Sequence, residues 1–142
     1  MIRKYRSKDL DSILELWLDT SLQAHDFVAD GFWASQVESM RDIYIPASET
    51  YVYEVEQNIV GFYSLYENNL AAIFVSAEFQ GRGIGKKLLN HAKEQRAALT
   101  LSVYKENQAS YQFYLSQGFR VISEQNDEHT GHPAYTMSSD TV

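Results

Sequence analysis

The chain has 142 residues, 44% of them apolar and 22% charged, which is enough for one domain with a real core. It contains no cysteine, and this excludes disulfides, thiolate metal sites and a Cys nucleophile. A net charge of -7 and a pI near 5.0 argue against general nucleic-acid binding, which needs a basic face; they suit a cationic partner or solubility alone.

No apolar run reaches the length of a membrane span, and no apolar h-region follows Arg6. The expectation is a cytoplasmic protein with no membrane partner. Residues 1–6 read as a short strand. Ser7 and Asp9 then offer N-cap oxygens before Leu10, Ile13, Leu14, Trp17 and Leu18, whose spacing predicts an amphipathic helix over about residues 8–23. Gln23 to Phe27 breaks the pattern. Phe32, Trp33, Val37, Met40 and Tyr44 predict a second helix that Pro46 ends. The connection carries His25 beside Asp26, read either as a solvated surface turn or, with Phe27, as a wall of an acceptor site.

Residues 51–55 and 59–66 are rich in β-branched and aromatic side chains and predict two strands joined by a turn at Gln57-Asn58. Glu67, Asn68 and Asn69 make the next turn. Residues 70–75 are continuously apolar, as a central strand covered on both faces should be. Gln80, Gly81, Arg82, Gly83, Ile84, Gly85 and Lys86 follow, and a helical run then extends to about Arg96. Strand, glycine turn and helix start together make an anion site, because the first N–H groups of a helix are unpaired and carry partial positive charge. The spacing is not that of a dinucleotide fingerprint, and it is not that of a Walker loop.

Residues 99–104 predict a strand reached by a right-handed crossover. Asn107 caps a helix that Gly118 ends as its C′ residue, and strands follow at 119–123 and 134–137 around a loop at 127–131.

Gln80, Gly83 and Gly85 fill the fixed places of the Gln/Arg-x-x-Gly-x-Gly/Ala signature, which resembles the coenzyme A pyrophosphate loop of the GNAT acyltransferase superfamily. A second stretch resembles the other hallmark of that family: Asn107, Ser110, the Phe113-Tyr114 pair and Gly118-Phe119. Ser110 departs mildly, since Ala is commoner there. The match looks nearest to small bacterial stand-alone acetyltransferases, some of which act on protein lysines.

The resemblance implies one GNAT acyl-CoA N-acyltransferase domain over residues 1–142. The expected fold is α/β, with a mixed, mostly antiparallel sheet of about seven strands flanked by about four helices. It implies acetyl-CoA as co-substrate, no metal, and transfer of the acetyl group to a primary amine by direct attack. The amine would be a protein lysine or a small molecule, and the protein a monomer or homodimer. The alternative is a non-catalytic acyl-CoA-binding sensor or regulatory module. Ile73, Phe74 and Val75 would offer backbone groups to the pantetheine arm, one N–H polarising the thioester carbonyl. Residues 80–86 would hold the pyrophosphate, Asn107 and Ser110 would lie on the arm, and Tyr114 would act as general acid toward the departing thiolate. Tyr114 at helical spacing also fits a core position. Some relatives carry a Glu base five residues ahead of the Asn; here Ser102 stands there. Glu67, His25, Asp26 or relayed water remain in its place.

Overall fold

The computed structural model describes residues 1–24, 27, 28, 30–128 and 130–139. Strand β1 (Ile2–Lys4) leads through a 3-10 turn (Ser7–Asp9) into α1 (Leu10–Ala24). Asp9 caps this entry from inside the turn: its carboxylate accepts the Arg6 backbone N–H at 2.8 Å. The same carboxylate takes both Arg3 guanidinium nitrogens, at 2.8 and 3.0 Å, and Arg3 also reaches Glu54 at 2.7 Å. The cluster ties the helix start to the first two strands.

The expected second helix is broken. It consists of α2 (Asp30–Ser35), α3 (Val37–Ser39), a π-helical turn (Met40–Tyr44) and α4 (Ile45–Ala47). Pro46 does not end it. Pro46 sits in the first turn of α4, where its missing N–H costs little, and the wider π register before it lets the Ile45 N–H bond Met40 O five residues back. Trp33 meets Trp17 edge-on at 5.9 Å and fastens this segment to α1.

Strands β2 (Glu49–Val55), β3 (Asn58–Tyr66) and β4 (Asn69–Val75) form an antiparallel meander. The first turn is Glu56-Gln57, one residue earlier than expected, with φ of 51° and 72° at the two positions. Asn69 belongs to β4 and not to the second turn. A 3-10 turn (Ala77–Phe79), unforeseen from the sequence, precedes α5 (Ile84–Gln95). Then come β5 (Thr100–Tyr104), α6 (Gln108–Ser116), β6 (Arg120–Asn126) and β7 (Pro133–Ser138). The seven strands make one sheet in the order β1-β2-β3-β4-β5-β7-β6, and only β4 and β5 are parallel neighbours. The mixed, mostly antiparallel α/β architecture expected from the resemblance is therefore present. No helix among the described residues is long and apolar enough to cross a membrane.

Helix α5 buries Ile84, Leu88, Leu89 and Ala92, a stripe at helical spacing, against the sheet. It approaches β3 closely at Gly61, where a Cβ would lie 3.1 Å from Leu88 Cδ1 and 3.1 Å from Phe74 O. Helix α6 ends as foreseen: Gly118 at φ 91° lets its N–H bond Leu115 O at 3.2 Å and the Phe119 N–H bond Tyr114 O at 3.0 Å.

Strand β4 differs from expectation. Only Leu70 is fully buried; Ala72 to Val75 are half-buried. The reason is its neighbour: β4 and β5 share one register pair, Asn69↔Thr100, and then part.

The Arg3–Asp9 pair yields a test. Asp9 is 4% exposed, and the Arg3 hydrogen bond holds its carboxyl below the usual carboxylate range. A depressed folded-state pKa contributes stability above the unfolded value, about 3.9, and that stability is lost as pH falls through the folded value. Asp9→Asn is expected to cost about 1–3 kcal/mol at pH 7. In urea melts, the gap between wild type and variant should narrow below about pH 4; a gap that stays constant down to about pH 2 would refute the assignment.

Candidate active site

The parting of β4 and β5 opens a cleft of about 360 Å³. Its walls are the β4 residues from Leu70 to Val75 and the β5 residues from Leu101 to Tyr104. Strand β4 pairs with β3 along its length, so beyond Asn69 its other edge has no ladder partner and faces the cleft. Ala71 is an extra residue in the β3–β4 register, a bulge that re-aims the local backbone toward the opening. An extended ligand arm can add to such an edge as a strand would.

The cleft ends at Val75, whose carbonyl accepts the Gln80 side-chain N–H at 3.0 Å. That bond folds the glycine loop back onto the strand end. Gly81 and Gly83 have φ of 79° and 82°, a region costly for residues with a Cβ, and a Cβ at either would meet nothing within 4 Å. Gly83 is the N-cap of α5 and the helix has no side-chain cap. The first intrahelical bond is Lys87 N–H to Gly83 O at 3.1 Å, so the N–H groups of Ile84, Gly85 and Lys86 precede it. Arg82 lies over the Phe79 ring at 4.9 Å, and Arg82, Lys86 and Lys87 are exposed beside these donors. The donor set suits a phosphate anion.

Helix α6 presents Asn107, Ser110 and Tyr114 to the cleft, one stripe at i, i+3 and i+7. Asn107 Oδ1 accepts the Ser110 N–H at 3.3 Å, the expected N-cap. Tyr114 is both a core residue and a lining residue. Its ring packs against Phe113 and Phe119, with centroids 5.5 and 5.9 Å away. Burial pushes its hydroxyl pKa well above the ordinary tyrosine value, so the proton stays on.

A second cavity of about 670 Å³ adjoins the first and shares Trp17, Trp33, Met40, Ala71, Ala72 and Tyr104 with it. Its rim carries Ile43, Tyr44 and Tyr66, exposed at 58, 48 and 52%. Phe27 stacks edge-on against Tyr104 at 5.3 Å, beside both cavities. Glu67 lies in the β3–β4 turn at φ 55°, its carbonyl accepting Arg96 Nε at 2.7 Å, and it is not among the described residues lining either cavity. His25 and Asp26 lie outside the described residues. Ser102 is exposed on the cleft wall.

Ser21, Tyr104 and Asp127 are among the lining residues that the sequence reading did not assign to a site. Ser21 on α1 is 0% exposed, and its hydroxyl has no hydrogen-bond partner among the described residues. Tyr104 and Asp127 line both cavities. Periodicity along α1 signalled that Ser21 faces inward, but nothing local signalled that Asp127 turns toward β4.

The sequence profile of the Acetyltransferase (GNAT) domain matches residues 21–140. The peptidyl-lysine N-acetyltransferase YiaC of Escherichia coli K12 is 34% identical over 139 residues, covering 97% of this chain and 95% of the relative. The peptidyl-lysine N-acetyltransferase YjaB of Salmonella typhimurium is 29% identical, covering 93% and 91%. The solution structure of apo YjaB from Escherichia coli superimposes with a TM-score of 0.86 at 23% identity, over 100% of this chain and 98% of that one. The PaiA N-acetyltransferase of Thermoplasma acidophilum, solved in complex with coenzyme A, gives a TM-score of 0.81 at 17% identity, over 99% and 98%. The strand parting, the glycine loop and the asparagine-capped helix thus accompany a match along almost the whole sequence, and the chain belongs to the GNAT family of acetyltransferases.

Proposed function

We propose that the protein transfers the acetyl group of acetyl-CoA to the side-chain amine of a lysine in a protein acceptor. The observation that carries this reading is the open edge of β4. It faces one cavity continuous with a second, so an extended cofactor arm and an amine can meet from opposite sides at Ala71 and Ala72. The exposed apolar rim of Ile43, Tyr44 and Tyr66 favours a protein acceptor over a small polar amine. The two relatives at 34% and 29% identity are named for peptidyl-lysine.

The residues present fit the cofactor. The N–H groups of Ile84, Gly85 and Lys86 would take its pyrophosphate, with Gly81 and Gly83 leaving the approach clear and Arg82 adding charge. Backbone groups of Ile73, Phe74 and Val75 would pair with the arm, and Asn107 and Ser110 would face it from α6. When bound, acetyl-CoA supplies a thioester that a neutral amine attacks directly; the amine loses a proton and the sulfur leaves. A β4 N–H beside the bulge would hold the oxygen that becomes negative. Tyr114 Oη would donate a hydrogen bond to the departing sulfur. Burial raises its pKa away from that of a thiol, near 8.5, so hydrogen bonding is favoured over complete proton transfer.

Incubation with acetyl-CoA and a panel of lysine peptides, polyamines and aminoglycosides tests the function, with free thiol as the readout. Thiol release is expected with lysine peptides; release only with small amines would overturn the protein-acceptor reading.

Two substitutions separate the roles. Gly83→Ala places a Cβ where no protein atom lies within 4 Å, so its cost to the fold is backbone strain of about 1–2 kcal/mol. Calorimetry should show coenzyme A affinity down at least about 10-fold, beyond the strain itself. Unchanged affinity in the folded variant would reject the cradle. Tyr114→Phe keeps the ring in its packing. A hydrogen bond to a charged group contributes about 1.5–3 kcal/mol, so turnover should fall roughly 10- to 150-fold with coenzyme A affinity kept. Wild-type turnover with chemistry rate-limiting would make Tyr114 a packing residue only.

A further inference from the structure

The second cavity has an apolar mouth that the packing of the fold does not use. Ile43, Tyr44 and Tyr66 are exposed, all three line the cavity, and none of them joins a described core cluster. Two of the three stand there because of the π turn. At 3.6 residues per turn, α-helical spacing from Met40 would bring Tyr44 round to the same inward face and bury it. In the π turn the residue five positions on takes that place. The Ile45 N–H bonds Met40 O, and both Met40 and Ile45 are buried. Ile43 and Tyr44 are thereby turned out to the rim, while Met40 lines both cavities from inside. Such turns are rare in proteins and frequent at functional sites.

Tyr66 completes the rim from the sheet side. It ends β3 opposite Asn69, the residue at which β4 and β5 part. Charge contributes little at this mouth. Arg41 and Asp42 bond each other at 3.2 Å and are not among the described lining. Asp127, the one charged residue in that lining, is held within its own loop by the Thr130 N–H at 2.9 Å.

The connection behind the mouth says what covers it. The cavity shares Trp17, Trp33, Met40, Ala71, Ala72 and Tyr104 with the cleft along β4, so a lysine side chain that reaches β4 from this side passes the rim. An extended chain advances about 3.3–3.6 Å per residue, so side chains within about three positions of that lysine lie over Ile43, Tyr44 and Tyr66. We infer that this rim is a specificity pocket for the acceptor's own sequence, selecting a lysine that has a bulky apolar side chain within that window. The inference rests on the acetyl-transfer reading above and deepens it. Seating such a side chain removes apolar surface from water on both partners. The contact is made alike in the bound acceptor and in the transition state, so it lowers KM and leaves kcat little changed.

The test uses the full chain and a series of lysine peptides with Leu or Gly at each position of the window. At the best position, Leu should lower the peptide KM roughly 10-fold relative to Gly, with kcat within about threefold. Tyr44→Ser and Tyr66→Ser should each reduce that ratio to about threefold or less, the loss falling mainly on the Leu peptide, and Ile43→Ser should reduce it in part. The substituted side chains are exposed, so coenzyme A affinity should match wild type and melting temperatures should stay close to it. Binding can be read without turnover, because both tryptophans of the chain, Trp17 and Trp33, line the two cavities. Their fluorescence in the coenzyme A complex should rank the peptides as KM does.

Equal KM values for Leu and Gly peptides in the wild type would overturn the pocket. So would a Leu preference that survives all three substitutions, or a loss of preference matched by a loss of coenzyme A affinity or thermal stability. Self-association in sedimentation that the substitutions abolish would assign the face to a second copy of the chain and overturn the pocket as well. Peptides that rank as expected by fluorescence but release no thiol would support the rim and sink the transfer reading, so the two failures are distinguishable.

Discussion

The site depends on a single strand contact. Asn69 and Thr100 are the one register pair between the two parallel strands, and it is reinforced by Thr100 N–H to Asn68 O at 2.9 Å and Thr100 Oγ1 to Asn69 Oδ1 at 3.2 Å. Had the ladder continued, β4 would have spent its outer hydrogen-bonding groups on β5 and no cleft would exist. Because it stops, the middle of a seven-stranded sheet contains an exposed edge. Elsewhere such an edge invites aggregation. Here it lies in a cleft that Asn107, Ser110 and Tyr114 line from the α6 side.

Keeping the strands apart requires that each be held from its far side. Strand β4 is paired to β3 from Gly61↔Val75 to Tyr66↔Asn69, and β5 to β7 from Thr100↔Ser138 to Tyr104↔Ala134. Helix α5 seats on β3 at Gly61, and the core behind it includes Tyr63, Leu65, Leu89, Leu101 and Met137. A second core, centred on Ile13, Trp17, Trp33, Val52 and Phe62, lies with α1 and the broken helical segment and also packs Phe74 and Tyr104 at its margin. The cleft runs where these two cores fail to merge. Residues that line it are therefore drawn from both, and this explains why Tyr114 is at once a core aromatic and a lining residue of the cleft.

The electrostatics follow the same division. The cationic groups Arg82, Lys86 and Lys87 gather at the helix start beyond Val75, in a chain whose net charge is -7. The one charged residue among the described lining of the cavities, Asp127, is negative and lies in the β6–β7 connection beside Tyr104.

Local signals in the sequence determined the parts that depend on neighbours in the chain. The turn chemistry of Gly81 and Gly83, the Asn107 cap and the Gly118 stop each follow from backbone constraints within a few residues, and the structure has all of them. The strand and helix order was legible for the same reason. The second helix was misread because its apolar spacing could not report a π turn, and the Glu56-Gln57 turn slipped by one because neither residue is a habitual left-handed former. The continuous apolar run at 70–75 suggested cover on both faces, but hydrophobicity does not say whether the cover is protein or a ligand's place. Only tertiary structure decided that β5 would leave β4 after one pair. Only it brought Ser21, Tyr104 and Asp127, more than a hundred residues apart at the extremes, to one opening. Those contacts arise from the packing of whole helices on a twisted sheet, a sum over many distant side chains that no short stretch of sequence contains.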